Sequence, residues 1–463
     1  MTDQSGRGRG TRHAVVIGGS IAGLLTARVL AEHAERVTVV ERDRYPEGDE
    51  PRAGVPQGRH PHVLLEGGQR ALDELLPGVV GELEALGAPR LGMPEEFVQH
   101  QGGTWFRRTP ATTHLFTGTR AQLEALVRRR VLADDRIGVL QGAEAVGLLG
   151  DARRVRGVRV RERGTDGASR ALAADLVVDA AGRGTRAGDW LAAIGAEAPH
   201  EETIDTGLAY ATRVYRAPAD SPLGTDCAAY YAIPDPRQTY AGGVLPIEGD
   251  RYLVVFGGLR GAEPPTDEEA FAAYALRMPH PPLHEFIAKA EPLSPVFGFR
   301  QSANVRRRYD RPGRRPAGFL ATGDALCAFN PVYGQGMAVA ALGATALRRA
   351  LADPRRTPTT RRVQRALFEA SRQAWDIASG ADRGMPGALG DGVRTRALDR
   401  PVGWYLGRVQ ERYMGDPELG AVFRSVVALN APLTALFRPP VLRSVLRPVP
   451  PTPGEPPMVR ERA

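Results

Sequence analysis

The feature that most constrains this chain lies within its first forty residues. Residues 13–17 form a short, almost wholly apolar run, the pattern of a strand buried on both faces. The run ends in Gly18-Gly19-Ser20-Ile21-Ala22-Gly23. Residues 24–30 then carry apolar side chains at helical spacing, and a second apolar run, 37–40, closes at Glu41. Strand, glycine turn, helix and strand in this order, with an acidic residue about 20 positions past the turn, is what a dinucleotide-binding βαβ unit requires. Gly18 permits the tight turn and Gly23 lets the helix approach the strand, so exposed N–H groups and the positive helix end face a pyrophosphate. Glu41 stands where it accepts hydrogen bonds from a ribose diol, which favours a nucleotide without a 2′-phosphate. Ser20 occupies the second glycine position, and it is small enough to let a phosphate approach.

Composition narrows what this unit serves. With 463 residues, 42% of them apolar, the chain exceeds what one hydrophobic core supports, which points to two or more subdomains. Charged residues make up 25%, near the average of folded proteins, so wholesale disorder is excluded. The net charge of +8 does not imply nucleic-acid binding. Lys289 is the only lysine, and the arginines are spread along the chain as GC-rich codon usage spreads them. One run of three, Arg128 to Arg130, falls in a stretch that reads as helix. Cys227 and Cys327 have neither disulfide nor metal-ligand spacing and suit a reducing cytoplasm. The first twelve residues lack an apolar signal core, and no uninterrupted apolar run reaches about 18 residues. The expectation is a cytoplasmic protein with no integral membrane segment. No metal site is expected either, because His60 and His62 form a lone His-Pro-His without a third ligand in sight.

A second glycine turn lies near the other end. Residues 318–322 read as a strand that stops at Gly323-Asp324, and Pro331, Gly334, Gly336 and Met337 lead into a small-residue helix over 338–347. Asp324 at a strand end can hold sugar hydroxyls, and the Gly334 to Gly336 turn sets a helix N-terminus against an anionic or electron-rich ligand. Two such turns some 300 residues apart suit a long, bent cofactor.

Together these motifs resemble the FAD-dependent aromatic hydroxylase superfamily. In that family the aspartate binds the ribityl chain and the second turn lies against the flavin ring. Two further elements fit: residues 175–186 around Asp179 and Gly182, at the place of the family's Asp-Gly motif, and Thr119-Arg120 with Leu123, a helix start whose arginine supports the flavin. The resemblance covers residues 1 to about 350. A narrower one, carried by Arg52, Pro56, Gln57, Arg59, His60 and His62 with residues 178–184, 206–213, 256–265 and 329–334, is to the flavin epoxidases of polyether ionophore biosynthesis. It implies an FAD-dependent monooxygenase that epoxidises an alkene of a polyene polyketide or terpenoid precursor through a flavin C4a-hydroperoxide. The setting implied is secondary-metabolite (antibiotic) biosynthesis, with O2 as co-substrate and NADPH or NADH as reductant.

The FAD contacts implied are Gly18, Gly19, Ser20, Ala22, Gly23, Glu41, Arg42, Arg52, Gln57, His60, Arg120, Gly323, Asp324, Pro331, Gly334, Gly336 and Met337. No side chain is implied as catalytic: the flavin does the chemistry, and backbone at Gly334, Gly336 and Met337 supplies the field beside the ring. Tyr210, Phe256 and Phe297, with Tyr230 and Phe299, are aromatic residues at strand spacing and candidates for the substrate pocket.

Departures open alternatives. Ala181 precedes Gly182 where the broad family has aspartate, so a separate flavin reductase stands beside direct NAD(P)H use. Leu326 and Cys327 replace the histidine common after Gly-Asp, so that motif places no titratable base beside the flavin. Hydroxylation of an aromatic ring on a polyketide, and alkene reduction of the geranylgeranyl reductase type, remain open. A flavin halogenase needs an active-site lysine, and Lys289 lies outside that motif. A prenyl-protein escort needs a degraded cofactor site, and Gly18, Gly23, Glu41, Asp324 and Gly334 are all present here.

The expected architecture is α/β: a Rossmann-like FAD-binding domain, a β-sheet substrate domain and a helical C-terminal region, aromatic hydroxylase-like. Its boundaries are 1–185 and 301–354 for the two parts of the FAD-binding domain, 186–300 for the substrate domain, 355–446 for the helices and 447–463 for a disordered Pro-rich tail. A helical insertion is expected near 68–91, and a strand after the 248–250 turn. Residues 422–437 are apolar enough to cover a pocket mouth or touch a membrane, with core packing the simpler role.

Overall fold

The computed structural model describes residues 11–459 apart from 166, 220, 222, 224–226, 280, 301, 312 and 395–399. The chain begins with β1 (Thr11–Ile17), α1 (Ile21–Leu30) and β2 (Ala34–Glu41), the βαβ unit that the apolar spacing predicts. It continues through α2 (Glu66–Leu75), β3 (Phe97–Gln101), α3 (Arg120–Leu132), β4 (Ile137–Gln141) and β5 (Leu176–Asp179). Four strands follow: β6 (Ala209–Arg216), β7 (Ala229–Ala232), β8 (Tyr240–Ile247) and β9 (Arg251–Gly258). After β10 (Phe319–Ala321) and α4 (Gly336–Ala352) come α5 (Arg372–Asp382), α6 (Arg400–Gln410), α7 (Pro417–Val427) and α8 (Pro439–Leu446).

Among the described residues there are five sheets, and the two largest frame the site. The first has five parallel strands in the order β10-β5-β1-β2-β4. Its strands are buried on both faces, with Ala14, Val15 and Val16 fully enclosed, and this is why they read as unbroken apolar runs. The second sheet has eight strands, with β6-β9-β8-β7-β3 at its centre, and β8 and β9 form an antiparallel hairpin. Phe256, Phe271 and Phe286 pack a separate core behind it.

Two expectations need correction. Residues 1–185 do not all serve the first sheet: β3 crosses to the second and pairs parallel with β7. Burial of Phe97, Val98, Gln99 and His100 alike erases the alternation that marks a strand with one wet face. The Pro-rich tail is held over 447–459 rather than disordered. Arg108 Nη1 donates to the carbonyls of Pro457 and Met458 at 3.0 and 2.8 Å, and Arg412 Nη2 donates to that of Arg447 at 2.9 Å. Prolines lack N–H groups but keep carbonyl acceptors, and arginines use them. Residues 460–463 lie outside the described ones. Among the described residues no helix is long and apolar enough to cross a membrane.

Candidate functional site

A cleft of about 1680 Å³ opens between the two sheets and the C-terminal helices. Its floor is the first glycine turn. Gly18 has φ +97°, and a Cβ there would sit 2.5 Å from the Ala180 carbonyl oxygen, so only glycine passes the chain between β1 and β5. Gly23 does not line the cleft; a Cβ on it would meet the Gly18 oxygen at 1.8 Å, which is the packing role read from its spacing. Ala22 meets the second turn, a Cβ on Gly323 falling 2.6 Å from the Ala22 Cβ. Two turns some 300 residues apart in sequence therefore form one surface.

Glu41 closes β2 inside this surface. Its Oε2 accepts from the Gly19 N–H at 2.7 Å, and its Oε1 accepts from the Asp43 N–H at 2.8 Å and pairs with Arg52 at 3.2 Å. Oε2 keeps one acceptor site for a ligand hydroxyl. Ser20, the departure from glycine, has a use. Its hydroxyl donates to Glu124 Oε2 at 2.6 Å and accepts from Arg120 Nη2 at 2.8 Å, while Arg52 Nε donates to Glu124 Oε1 at 2.7 Å. Arg52 and Arg120 are thus aimed by one buried glutamate on α3, a residue that motif reading passed over. Arg42 and Gln57 also line the cleft, Arg42 Nη2 donating to the Gly54 carbonyl at 2.7 Å.

From the second turn onward the lining suits the middle and ring of a long cofactor. Asp324 is half-buried in the lining, and its carboxylate accepts no hydrogen bond from another described residue, which leaves it free for sugar hydroxyls. Pro331 starts a tight turn that ends at Gly334, where φ is +65°. A Cβ added to Gly336 would meet nothing within 4 Å, so the N-terminus of α4 faces open cleft. Met337, beside it, packs into the main core. The donor set, the glycine cradle and the free carboxylate fit FAD.

Beyond the turn lies a polar cluster with no clear signal in the sequence. Asp382, at the end of α5, accepts from the Tyr333 hydroxyl at 2.5 Å and from the amides of Asn304 and Asn330 at 2.6 and 3.0 Å. Burial pushes the Asp382 carboxyl up, and these donors pull it back. Asn330 Oδ1 in turn accepts from the Tyr210 hydroxyl at 3.1 Å. The only hint was two polar residues, Asn330 and Tyr333, around Pro331. His60 lies opposite, with Nδ1 2.8 Å from the Thr212 hydroxyl and its ring 5.3 Å from Phe299. Burial, with Arg59 nearby, lowers its pKa to about 4, and burial takes His62 to about 3, so both are neutral at physiological pH.

The aromatic candidates separate by strand parity. Tyr210 and Phe299 line the cleft. Phe256 does not: Val255 faces the cleft, so its neighbour points the other way, onto Phe271 at 4.7 Å. For the same reason Tyr231 lines the cleft and Tyr230 is core. Phe297 lies under the Arg59 guanidinium at 4.8 Å, outside the lining. Lys289 is also outside it. Among the described residues no three His, Cys, Asp or Glu gather as a metal site.

The sequence family described as FAD binding domain matches residues 11–380. Protein Rv3254 of Mycobacterium tuberculosis is 36% identical over 355 residues, which span 73% of each chain. Solved structures share the fold at low identity. A probable FAD-dependent monooxygenase from Pseudomonas aeruginosa, pqsL, has a TM-score of 0.60 at 18% identity, over 81% of this chain and 95% of its own. The p-nitrophenol 4-monooxygenase PnpA from Pseudomonas putida has 0.61 at 15%, over 91% and 98%. The flavin-dependent brominase Bmp2 has 0.62 at 15%, over 90% and 93%.

Proposed function

Because the chain belongs to the FAD binding domain family, we propose that it is an FAD-dependent monooxygenase that epoxidises an alkene of a polyketide or terpenoid precursor in secondary metabolism. The observation that carries this reading is the division of the cleft. Among the described residues it receives only uncharged side chains from the second sheet and the C-terminal helices, apart from Asp376 and Arg383 on and beside α5. A neutral hydrocarbon chain enters such a wall at little desolvation cost, whereas an ionised substrate loses its hydration without a partner.

When bound, FAD supplies the redox chemistry that takes electrons from NADPH or NADH, directly or through a separate flavin reductase, and transfers one atom of O2. The chain does the rest. The Gly18 turn and Ser20 would hold the pyrophosphate and Glu41 the ribose; Asp324 would hold the ribityl hydroxyls, and Arg120, with Arg52 beside it on Glu124, would support the flavin. Tyr333, fixed by Asp382, and the N-terminus of α4 set the ring face, where backbone N–H groups favour developing negative charge. Helices α5, α6 and α7 line the chamber and would keep water from it when substrate is bound. Neutral His60 keeps a positive charge away from the alkene.

Ring hydroxylation is the second reading. Tyr210, Tyr231 and Phe299 form an aromatic wall on which a flat ring would stack. The test is turnover of polyenes and of aromatic polyketides under labelled dioxygen with NADPH and a flavin reductase. One labelled oxygen bridging a former double bond supports epoxidation, and a labelled phenol moves the assignment to the second reading. Saturation of the alkene without oxygen uptake would overturn both in favour of a reductase.

A further inference from the structure

We propose that the mouth of the cleft docks on an anionic phospholipid bilayer. Val402 of α6 and Phe437, at the end of the short turn Leu433–Phe437, both line the cleft, yet they are 50% and 42% exposed, so they mark its mouth. The surface around them stays apolar. Trp404 is 63% exposed, and Leu442 and Leu446, four residues apart on one face of α8, are 41% and 79% exposed. These elements form one body. Tyr405 stacks on Phe437 at 4.8 Å, and Tyr405, Val409, Val441 and Val445 share a core. The same helices therefore bury one set of apolar side chains and present another.

Charge selects the occupant. Neither α6 nor α8 nor the turn between α7 and α8 contains an Asp or Glu, and Arg438, Arg443 and Arg447 are exposed on or beside α8. A second copy docking through the same patch would bring arginine against arginine. An anionic leaflet attracts those arginines while tryptophan and leucine enter the headgroup boundary. An apolar molecule dissolved in the bilayer then reaches the cleft without crossing water. This surface is testable whether or not the oxygenation reading holds.

The test uses vesicles of phosphatidylcholine with and without phosphatidylglycerol. Trp105, Trp190 and Trp375 are buried, so a blue shift of tryptophan emission on adding vesicles reports Trp404. The expected result is a shift and co-sedimentation with phosphatidylglycerol vesicles, both reversed by salt. Arg438→Ala, Arg443→Ala and Arg447→Ala should each weaken partition roughly five-fold. In sedimentation, Trp404→Ser combined with Phe437→Ser should lose binding. No shift and no sedimentation of the unmodified protein would overturn the proposal. So would equal binding to pure phosphatidylcholine, or a concentration-dependent shift without vesicles, which gives the patch to a second copy. The salt titration needs no variant, so a misfolded mutant leaves the test intact.

Discussion

The two ends of the cleft are built by different means. At the nucleotide end the shape is backbone: Gly18 fits because of its φ and its approach to Ala180, and Gly323 fits against Ala22. At the chamber end the walls are side chains drawn from β3, β6, β7, α5, α6 and α7, segments that meet only after the whole chain has folded. Backbone shape is written in a few consecutive residues. A side-chain wall is written in the packing of distant segments, and it varies without disturbing the first.

That contrast can be broken at three strengths. Asp324→Ala removes the free carboxylate of the backbone-built end, so the variant should purify with most of its flavin lost, read as the flavin-to-protein absorbance ratio. Full occupancy in that variant would sink the cofactor assignment. Next, Asp382→Ala acts on the side-chain end, leaving the Tyr333 hydroxyl and the Asn304 and Asn330 amides without their acceptor. It should cost about 3 kcal/mol in denaturant unfolding while flavin content holds. Comparable flavin loss in both variants would erase the distinction between the ends.

The smallest effect is in pH. The folded His60 has its pKa lowered to about 4 from 6.5, so the unfolded chain binds the extra proton first as pH falls. Stability is therefore full above about pH 6.5 and declines towards pH 4, by at most ~1.4 kcal/mol per unit from this group. His60→Asn should flatten that slope in thermal melts taken across the window. An unchanged slope would mean that His60 is not the buried neutral base the geometry makes it.

The first sheet and both glycine turns were legible because each is a local pattern: apolar runs for parallel strands, glycine where a Cβ has no room, an acid at a strand end. The α/β fold with its sheet-and-helix cover followed from their order. Strand β3 was not legible, because burial on both faces removes its period. Phe256 was misplaced by one position of parity, which an aromatic residue alone does not encode. Glu124 and Asp382 escaped notice because their partners lie up to 104 and 78 residues away. The tail looked disordered by composition, since its stabilising contacts come from arginines elsewhere in the chain.

The edge strand β10 and the helix that starts at Gly336 complete the parallel sheet some 300 residues after β1 begins it. A ribosome adding about 5–20 residues per second needs roughly 15 to 60 seconds to bridge that interval. During synthesis the glycine-lined floor therefore waits as an unfinished sheet with an exposed edge, the state most open to aggregation. The surface shared by both glycine turns exists only once residues 319–352 are made, so a supply of FAD at that moment should raise the yield of folded protein.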